Sequence, residues 1–185
     1  MQFVLINNSD VLVENTLYDY YKQKLPEHNF IPVFDISSPY PTDCLLNITL
    51  LDEICFMTKY QALKIGKYIN KSKIFVNQGY TKCNICILND KAIITSDKGI
   101  AESAQKNDIR AYLLPNDEIV LKGYKNGFWG GCSGLIDSDK LFFNGDIKKL
   151  SCYKELLTVL KKEKIEPIFF QGQNLEDCGS IIPIC

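Results

Sequence analysis

The sequence predicts an α/β fold built from four repeated strand–strand–helix–strand units and one further strand. Pairs of short apolar runs recur around turn-forming residues, which is the pattern of a β-hairpin. Each pair is followed by a segment whose apolar residues lie three and four positions apart, which indicates a helix. Each of these segments leads to another short apolar run. A period of roughly 37 to 49 residues is typical of propeller and solenoid arrays.

The four predicted hairpins follow one another along the chain. Each has Asn, Asp or Ser at its turn, and these residues favour tight reversals. The paired runs are 3–6 with 11–13, 44–51 with 54–57, 83–88 with 92–95, and 132–136 with 141–144.

A helix and a third strand follow each hairpin. Asp97 is a predicted N-cap of the third helix and Ser151 of the fourth, because short polar side chains accept the unpaired N–H groups of the first turn. The predicted helices are 15–25, 59–69, 97–107 and 151–164, and the strands after them are 30–34, 73–76, 109–114 and 167–170.

The units form one predicted domain over residues 1–185. At 185 residues, with 46% hydrophobic residues, the chain is long enough for a single sizeable core and short for two. The predicted units are about 1–35, 43–77, 82–115 and 131–170, and a terminal strand over 178–184 stands where a fifth unit would begin.

Composition and charge exclude several classes of partner. The net charge is −1, so we expect no nucleic acid. The N-terminus lacks a basic region before its apolar run, and no apolar stretch approaches the length of a spanning helix, so we expect a cytoplasmic protein with no membrane partner. In that compartment the eight cysteines are expected to be free thiols.

Cysteines recur where the first strand of a unit begins, and polar residues flank them. Equivalent positions of a rotational repeat lie at one height around a common axis, so we expect these side chains near a central cavity. The candidate cavity residues are Asp43, Cys83, Asn84, Cys132, Ser133, Asp177 and Cys178. For the four polar residues a turn or strand-cap role is the more common use, and for the cysteines it is burial as a small apolar side chain.

A metal site is an alternative use of the same positions. The set would be Cys44, Cys83, Cys132 and Cys178, because four thiolates suit tetrahedral zinc. Cys83 and Cys86 have knuckle spacing, but on a predicted strand they would face opposite sides. We therefore expect no metal and no other cofactor.

Three glycines surround Cys132. Gly130, Gly131 and Gly134 predict close approach of another backbone, because only glycine lacks a Cβ atom. Such a cluster could also present amides to an anion, although packing is the simpler explanation.

The repeated strand–strand–helix–strand unit resembles the architecture of the guanidine-modifying enzyme, or pentein, superfamily. More narrowly, four segments look like an uncharacterised bacterial family with that fold: 76–102, 127–136, 141–147 and 176–184. The resemblance implies a pseudo-fivefold α/β propeller. Here the fifth blade appears only as residues 178–184, so we expect an abbreviated blade, with a homo-oligomer covering its unpaired edge.

The resemblance also implies where catalytic residues would stand. Catalytic penteins carry a nucleophilic cysteine near the C-terminus and a histidine from a middle blade. In this sequence the position of the nucleophile is occupied by Ile182. The single histidine, His28, is in a predicted solvated loop. We therefore expect a non-catalytic protein that binds a small polar molecule or a partner. The alternatives are an amidine hydrolase using Cys178 or Cys185 with a different base, and a ribosome- or protein-binding module.

Overall fold

The computed structural model describes residues 2–7, 9–33, 36 and 39–183. Within this part of the chain, the predicted repeat is confirmed as four three-stranded sheets. In every sheet the first strand is antiparallel to the second, and the second is parallel to the third. A helix between the second and third strands makes each parallel connection, as such crossovers require.

The chain divides into two compact units, one ending at Thr81 and the other starting at Lys82. The first contains two sheets. Their strands are β1 (Phe3–Leu5), β2 (Asp10–Val13), β3 (Asn29–Pro32), β4 (Thr49–Leu50), β5 (Ile54–Met57) and β6 (Ser72–Phe75). Helix α1 (Tyr18–Lys24) lies between β2 and β3, and α2 (Lys59–Ile65) between β5 and β6.

The second unit contains the other two sheets. Short helix α3 (Thr81–Asn84) leads into it. The strands are β7 (Cys86–Asn89), β8 (Ala92–Thr95), β9 (Arg110–Leu113), β10 (Ser133–Asp137), β11 (Lys140–Phe143) and β12 (Glu166–Phe169), with helices α4 (Lys98–Gln105) and α5 (Tyr153–Lys162).

Each unit buries apolar side chains of its own. In the first unit, Leu12, Ile48 and Met57 belong to one buried cluster. In the second, Trp129 and Phe143 are fully buried in a larger cluster. Burial of these faces is the main favourable term for each unit.

The cap of α4 is confirmed and that of α5 is corrected. Asp97 accepts a hydrogen bond from the Ile100 N–H at 2.9 Å. Helix α5 instead begins after Cys152. Ser151 lies one residue before the N-cap position, and its N–H and hydroxyl both donate to the Glu118 carboxylate.

Two predicted strands are shorter than the sequence indicated. Cys44 lies in a 3-10 turn, Thr42–Cys44, and the strand after it covers only Thr49–Leu50. Cys83 lies in α3 rather than on a strand. In both cases a turn of helix precedes the strand, so the apolar run contains two kinds of structure.

The predicted terminal strand is wrong over its described residues, 178–183, which form no strand. Glu176 makes a single parallel bridge with Val120. Gly179 and Ser180 have φ values of +97° and +152°, outside the β region, and Pro183 has no N–H to donate. Ile184 and Cys185 lie outside the described residues.

None of the helices in the described ranges is long and apolar enough to cross a membrane. The single domain and the propeller arrangement of the units stay predictions.

Candidate functional site

Asp177 ties two loops of the second unit together. The residue is 7% exposed, and its carboxylate accepts hydrogen bonds from the N–H groups of Phe128 at 2.9 Å and Gly179 at 2.8 Å. Its own N–H donates to the Val120 carbonyl. Each carboxylate oxygen therefore accepts a hydrogen bond from a backbone N–H, which offsets the cost of burying this polar group.

Gly131 lies directly against that carboxylate. A Cβ atom at this position would be 2.1 Å from Asp177 Oδ1. The Gly131 N–H donates to the Cys83 carbonyl at 2.7 Å, and the Gly131 carbonyl accepts from the Cys178 N–H at 3.0 Å. One glycine thus joins helix α3 to the segment after Asp177.

The close approach predicted for the other two glycines is also confirmed. A Cβ at Gly130 would lie 2.2 Å from the Lys82 carbonyl oxygen, and one at Gly134 would lie 2.3 Å from that of Ile181. Neither position has room for a side chain, so the glycine cluster serves packing.

Two thiols with access to solvent lie beside Gly131 and Asp177. Cys178 is exposed, and Cys83 is partly buried. The Cys83 thiol donates to the Gly179 carbonyl at 3.2 Å, and the Cys178 thiol to the Gly131 carbonyl at 3.5 Å. We call Cys83 together with 178–180 the thiol site.

Sequence reasoning missed two polar groups here. The Ser180 hydroxyl is buried and has no hydrogen-bond partner, in backbone that L-residues rarely adopt. Burial lowers the pKa of Lys82, an effect opposed by the Cys86 and Cys83 thiols. The run 178–180 and the pair Lys82–Cys83 are present in the sequence, but neither pattern indicates that the Ser180 hydroxyl or the Lys82 side chain is buried.

Three other candidate cavity residues are hydrogen-bonded or buried inside the second unit. Asn84 Oδ1 accepts from the Thr95 hydroxyl at 2.6 Å, and the Ser133 hydroxyl donates to the Trp129 carbonyl at 2.5 Å. Cys132 is fully buried, and burial raises the pKa of its thiol well above the ordinary value. All three have structural roles in their immediate surroundings.

Asp43 and Cys44 lie in the first unit. Asp43 Oδ2 accepts from the Tyr80 hydroxyl, whereas Oδ1 is buried without a partner. The Cys44 thiol is 1% exposed and donates to the Pro41 carbonyl at 3.1 Å. Burial and the neighbouring Asp43 charge raise the pKa of Cys44 to about 11.

His28 is not the solvated loop residue that the sequence predicted. It is 7% exposed, because the turn after α1 brings its ring edge-on to Phe30, with 6.4 Å between centroids. Neither ring nitrogen has a hydrogen-bond partner. Glu27 Oε1 lies 3.6 Å from His28 Nε2.

The four-cysteine metal alternative gains no support. In the part of the chain that the structure describes, no group of three or more His, Cys, Asp or Glu side chains is placed to hold a metal ion.

Comparisons with known proteins give a family and a fold. Residues 1–182 match the sequence model of a family of unknown function (DUF6873). A search of the curated proteins finds no match.

Three solved structures with the pentein fold resemble this one at low sequence identity. Agmatine deiminase from C. jejuni has 10% identity and a TM-score of 0.60, with 95% of this chain and 68% of that chain covered. An amidinotransferase of saxitoxin biosynthesis from Microseira wollei has 8% identity and a TM-score of 0.55, with 96% and 62% covered.

The third is a cysteine-to-serine mutant of DDAH from Pseudomonas aeruginosa, complexed with citrulline. It has 8% identity and a TM-score of 0.52, with 90% of this chain and 66% of that chain covered. The chain therefore has the pentein fold and spans about two thirds of the length of these enzymes.

Proposed function

The chain belongs to the family of unknown function (DUF6873), and on that premise we propose that it binds a small polar molecule at the thiol site without hydrolysing it. One observation carries the proposal. The Ser180 hydroxyl is buried and unpartnered in strained backbone with φ +152°. An unsatisfied buried polar group in strained backbone is typical of functional sites, and a polar ligand would supply the missing hydrogen bond.

The surroundings of Ser180 favour a polar ligand. The exposed Cys178 precedes it by two residues, and the Gly179 carbonyl already accepts from Cys83. Asp177 holds this segment in place through the Gly179 N–H. Such a fixed set of donors and acceptors lowers the cost of ordering a ligand.

The absence of hydrolysis is proposed from the sequence. Ile182 stands where the pentein resemblance implies the nucleophile, and His28 is the single histidine. A cysteine nucleophile needs a neighbouring base or cation, and the neighbours of His28 are Phe30 and Glu27.

A Cys-dependent hydrolase is the alternative, and one observation favours it. Lys82 has a pKa lowered by burial and interacts with the Cys83 thiol. A lysine of this kind can act as a base. Release of product from an amidine substrate would establish this alternative in place of binding alone.

The test uses agmatine and citrulline, which the names of two of the similar structures contain, together with arginine, a substrate class that the pentein resemblance implies. The protein is titrated with citrulline, agmatine and arginine while its melting temperature and any release of urea, ammonia or citrulline are measured. At a ligand concentration of 100 Kd, stabilisation is about 2.7 kcal/mol. For a chain of this size that corresponds to a rise in melting temperature on the order of 5–10 °C.

The Ser180→Ala variant locates the binding. It should lose about 1 kcal/mol of the ligand-induced stabilisation, roughly a third to a half of the rise, whereas Ser138→Ala, at the exposed turn between β10 and β11, should keep it. A full rise in Ser180→Ala, or no rise with any of the three ligands, would contradict the proposal. Product release would replace it with the hydrolase.

A further inference from the structure

We propose that a cavity in the unit that ends at Thr81 binds a planar aromatic ring carrying an anionic group. The cavity has a volume of about 430 Å³, and its lining includes Tyr40, Lys59, Tyr60, Phe75, Val76 and Asn77. This volume lies within the range of small-molecule sites, which are mainly apolar with a few polar groups.

Aromatic rings supply the walls. Tyr40 is 51% exposed and Phe75 is 48% exposed, while Tyr60 is partly buried. Two half-exposed aromatic side chains at one cavity leave apolar ring area in contact with water. A planar ring placed against them would bury that area and gain stacking or edge-to-face contact.

Tyr40 is held in position before any ligand arrives. Its ring contacts that of Tyr80, with 6.1 Å between centroids, and its hydroxyl donates to the Asn77 carbonyl at 3.4 Å. A Cβ atom at Gly79 would lie 2.9 Å from the Tyr40 ring, so the ring packs closely on that glycine. A fixed aromatic surface loses little side-chain entropy on binding.

The charge of the lining selects an anion. Lys59 is exposed, and none of the described residues that line the cavity is Asp or Glu. No salt bridge found among the described residues involves Lys59. Lys64 adds positive charge beside Tyr60, with its Nζ 5.9 Å from the ring centroid. A ligand carboxylate or phosphate would give Lys59 an opposite charge at short range.

The cavity shares no residue with the thiol site, so this proposal does not depend on the proposed function. A ring with an anionic group can belong to a free aromatic acid or to a nucleotide. The probes are therefore 4-hydroxybenzoate for the first source and adenosine monophosphate for the second.

The experiment is a titration of the ¹⁵N-labelled full chain followed by NMR. One or both probes should shift the amide signals of Thr58, Tyr60, Val76 and Asn77, and the tighter binder identifies the source. Phe75→Ala should weaken binding about tenfold. Lys59→Gln should weaken binding of the acid severalfold and leave binding of the neutral 4-hydroxybenzamide unchanged.

Matched controls separate the cavity from general surface effects. Phe170→Ala removes a ring of similar exposure, 51% against 48% for Phe75, in the other unit, and Lys98→Gln removes an exposed lysine at the start of α4. Neither should change binding. The proposal fails if neither probe shifts the cavity signals at millimolar concentration, or if Phe75→Ala binds as tightly as the unmodified chain. Equal binding of acid and amide would overturn the assignment of an anion.

Discussion

The Asp–Cys pairs at 43–44 and 177–178 are the same dipeptide, and the sequence predicts that they stand at corresponding positions of the repeat, but they pack differently. Both carboxylate oxygens of Asp177 accept hydrogen bonds from backbone N–H groups, and Cys178 is exposed. Asp43 accepts from the Tyr80 hydroxyl and has one buried oxygen without a partner. Cys44 is buried. In one pair the acid is fixed by the backbone, and in the other the thiol is enclosed.

A glycine contacts a different member of each pair. At Gly131 the missing side chain makes room for the carboxylate, since a Cβ would lie 2.1 Å from Asp177 Oδ1. At Gly79 it makes room for the thiol, since a Cβ would lie 2.5 Å from Cys44 Sγ. The neighbouring glycine therefore determines which side chain of the dipeptide is enclosed.

The largest expected effect comes from filling the space at Gly131. Gly131→Ala would force Asp177 away from its two amide partners, because no Cβ can lie 2.1 Å from an oxygen atom. The new methyl group overpacks the site, and two partly buried hydrogen bonds to the carboxylate are lost. We expect a loss of about 3 kcal/mol or more in the free energy of unfolding, measured by urea denaturation.

Gly66→Ala is the matched control. A Cβ at Gly66 would have its nearest neighbour at an ordinary 3.4 Å, and the backbone there is right-handed helical. This change should be neutral or stabilise by up to about 1 kcal/mol. Equal losses for Gly131→Ala and Gly66→Ala would mean that the carboxylate does not depend on the glycine.

The second comparison concerns the two thiols. At pH 8, iodoacetamide should label Cys178 at least about a hundredfold faster than Cys44, because the thiolate is the nucleophile and needs access to reagent. Cys178 is exposed, whereas Cys44 is 1% exposed with a pKa raised to about 11. Labelling is followed by peptide mass spectrometry, site by site.

The pH dependence sharpens this test. Below its pKa of about 11, the thiolate fraction of Cys44 rises tenfold for each pH unit. Its labelling rate should therefore rise about tenfold from pH 8 to pH 9. Rapid labelling of Cys44 at pH 8 would show that its enclosure opens readily.

Local patterns in the sequence predict the repeat but not the contacts at the site. Alternating apolar runs and helical spacing depend on near neighbours, so the four sheets and the Asp97 cap could be predicted. The glycine cluster also indicated close packing correctly.

The sequence did not predict two contacts between residues far apart in the chain, or one local departure from strand conformation. The bonds of Asp177 reach back to Phe128, 49 positions away, and no spacing rule indicates such a partner. Ser151 had the chemistry of a cap, but Glu118, 33 positions away, holds its N–H and hydroxyl. The apolar run after Cys178 was typical of a strand, yet Gly179 and Ser180 turn the chain out of the β region.

The smallest effect comes from removing each charge while keeping the shape. Asp177→Asn places an amide NH₂ against the Phe128 or Gly179 N–H, so one of these two partly buried hydrogen bonds is lost. The expected loss is about 1–2 kcal/mol in urea denaturation. In Asp43→Asn the amide oxygen can still accept from Tyr80, and the NH₂ replaces an oxygen that has no partner. The expected change there is within about 0.5 kcal/mol. If Asp43→Asn lowers the free energy of unfolding as much as Asp177→Asn does, the two carboxylates contribute equally to stability. The glycines would then not account for the difference between the pairs.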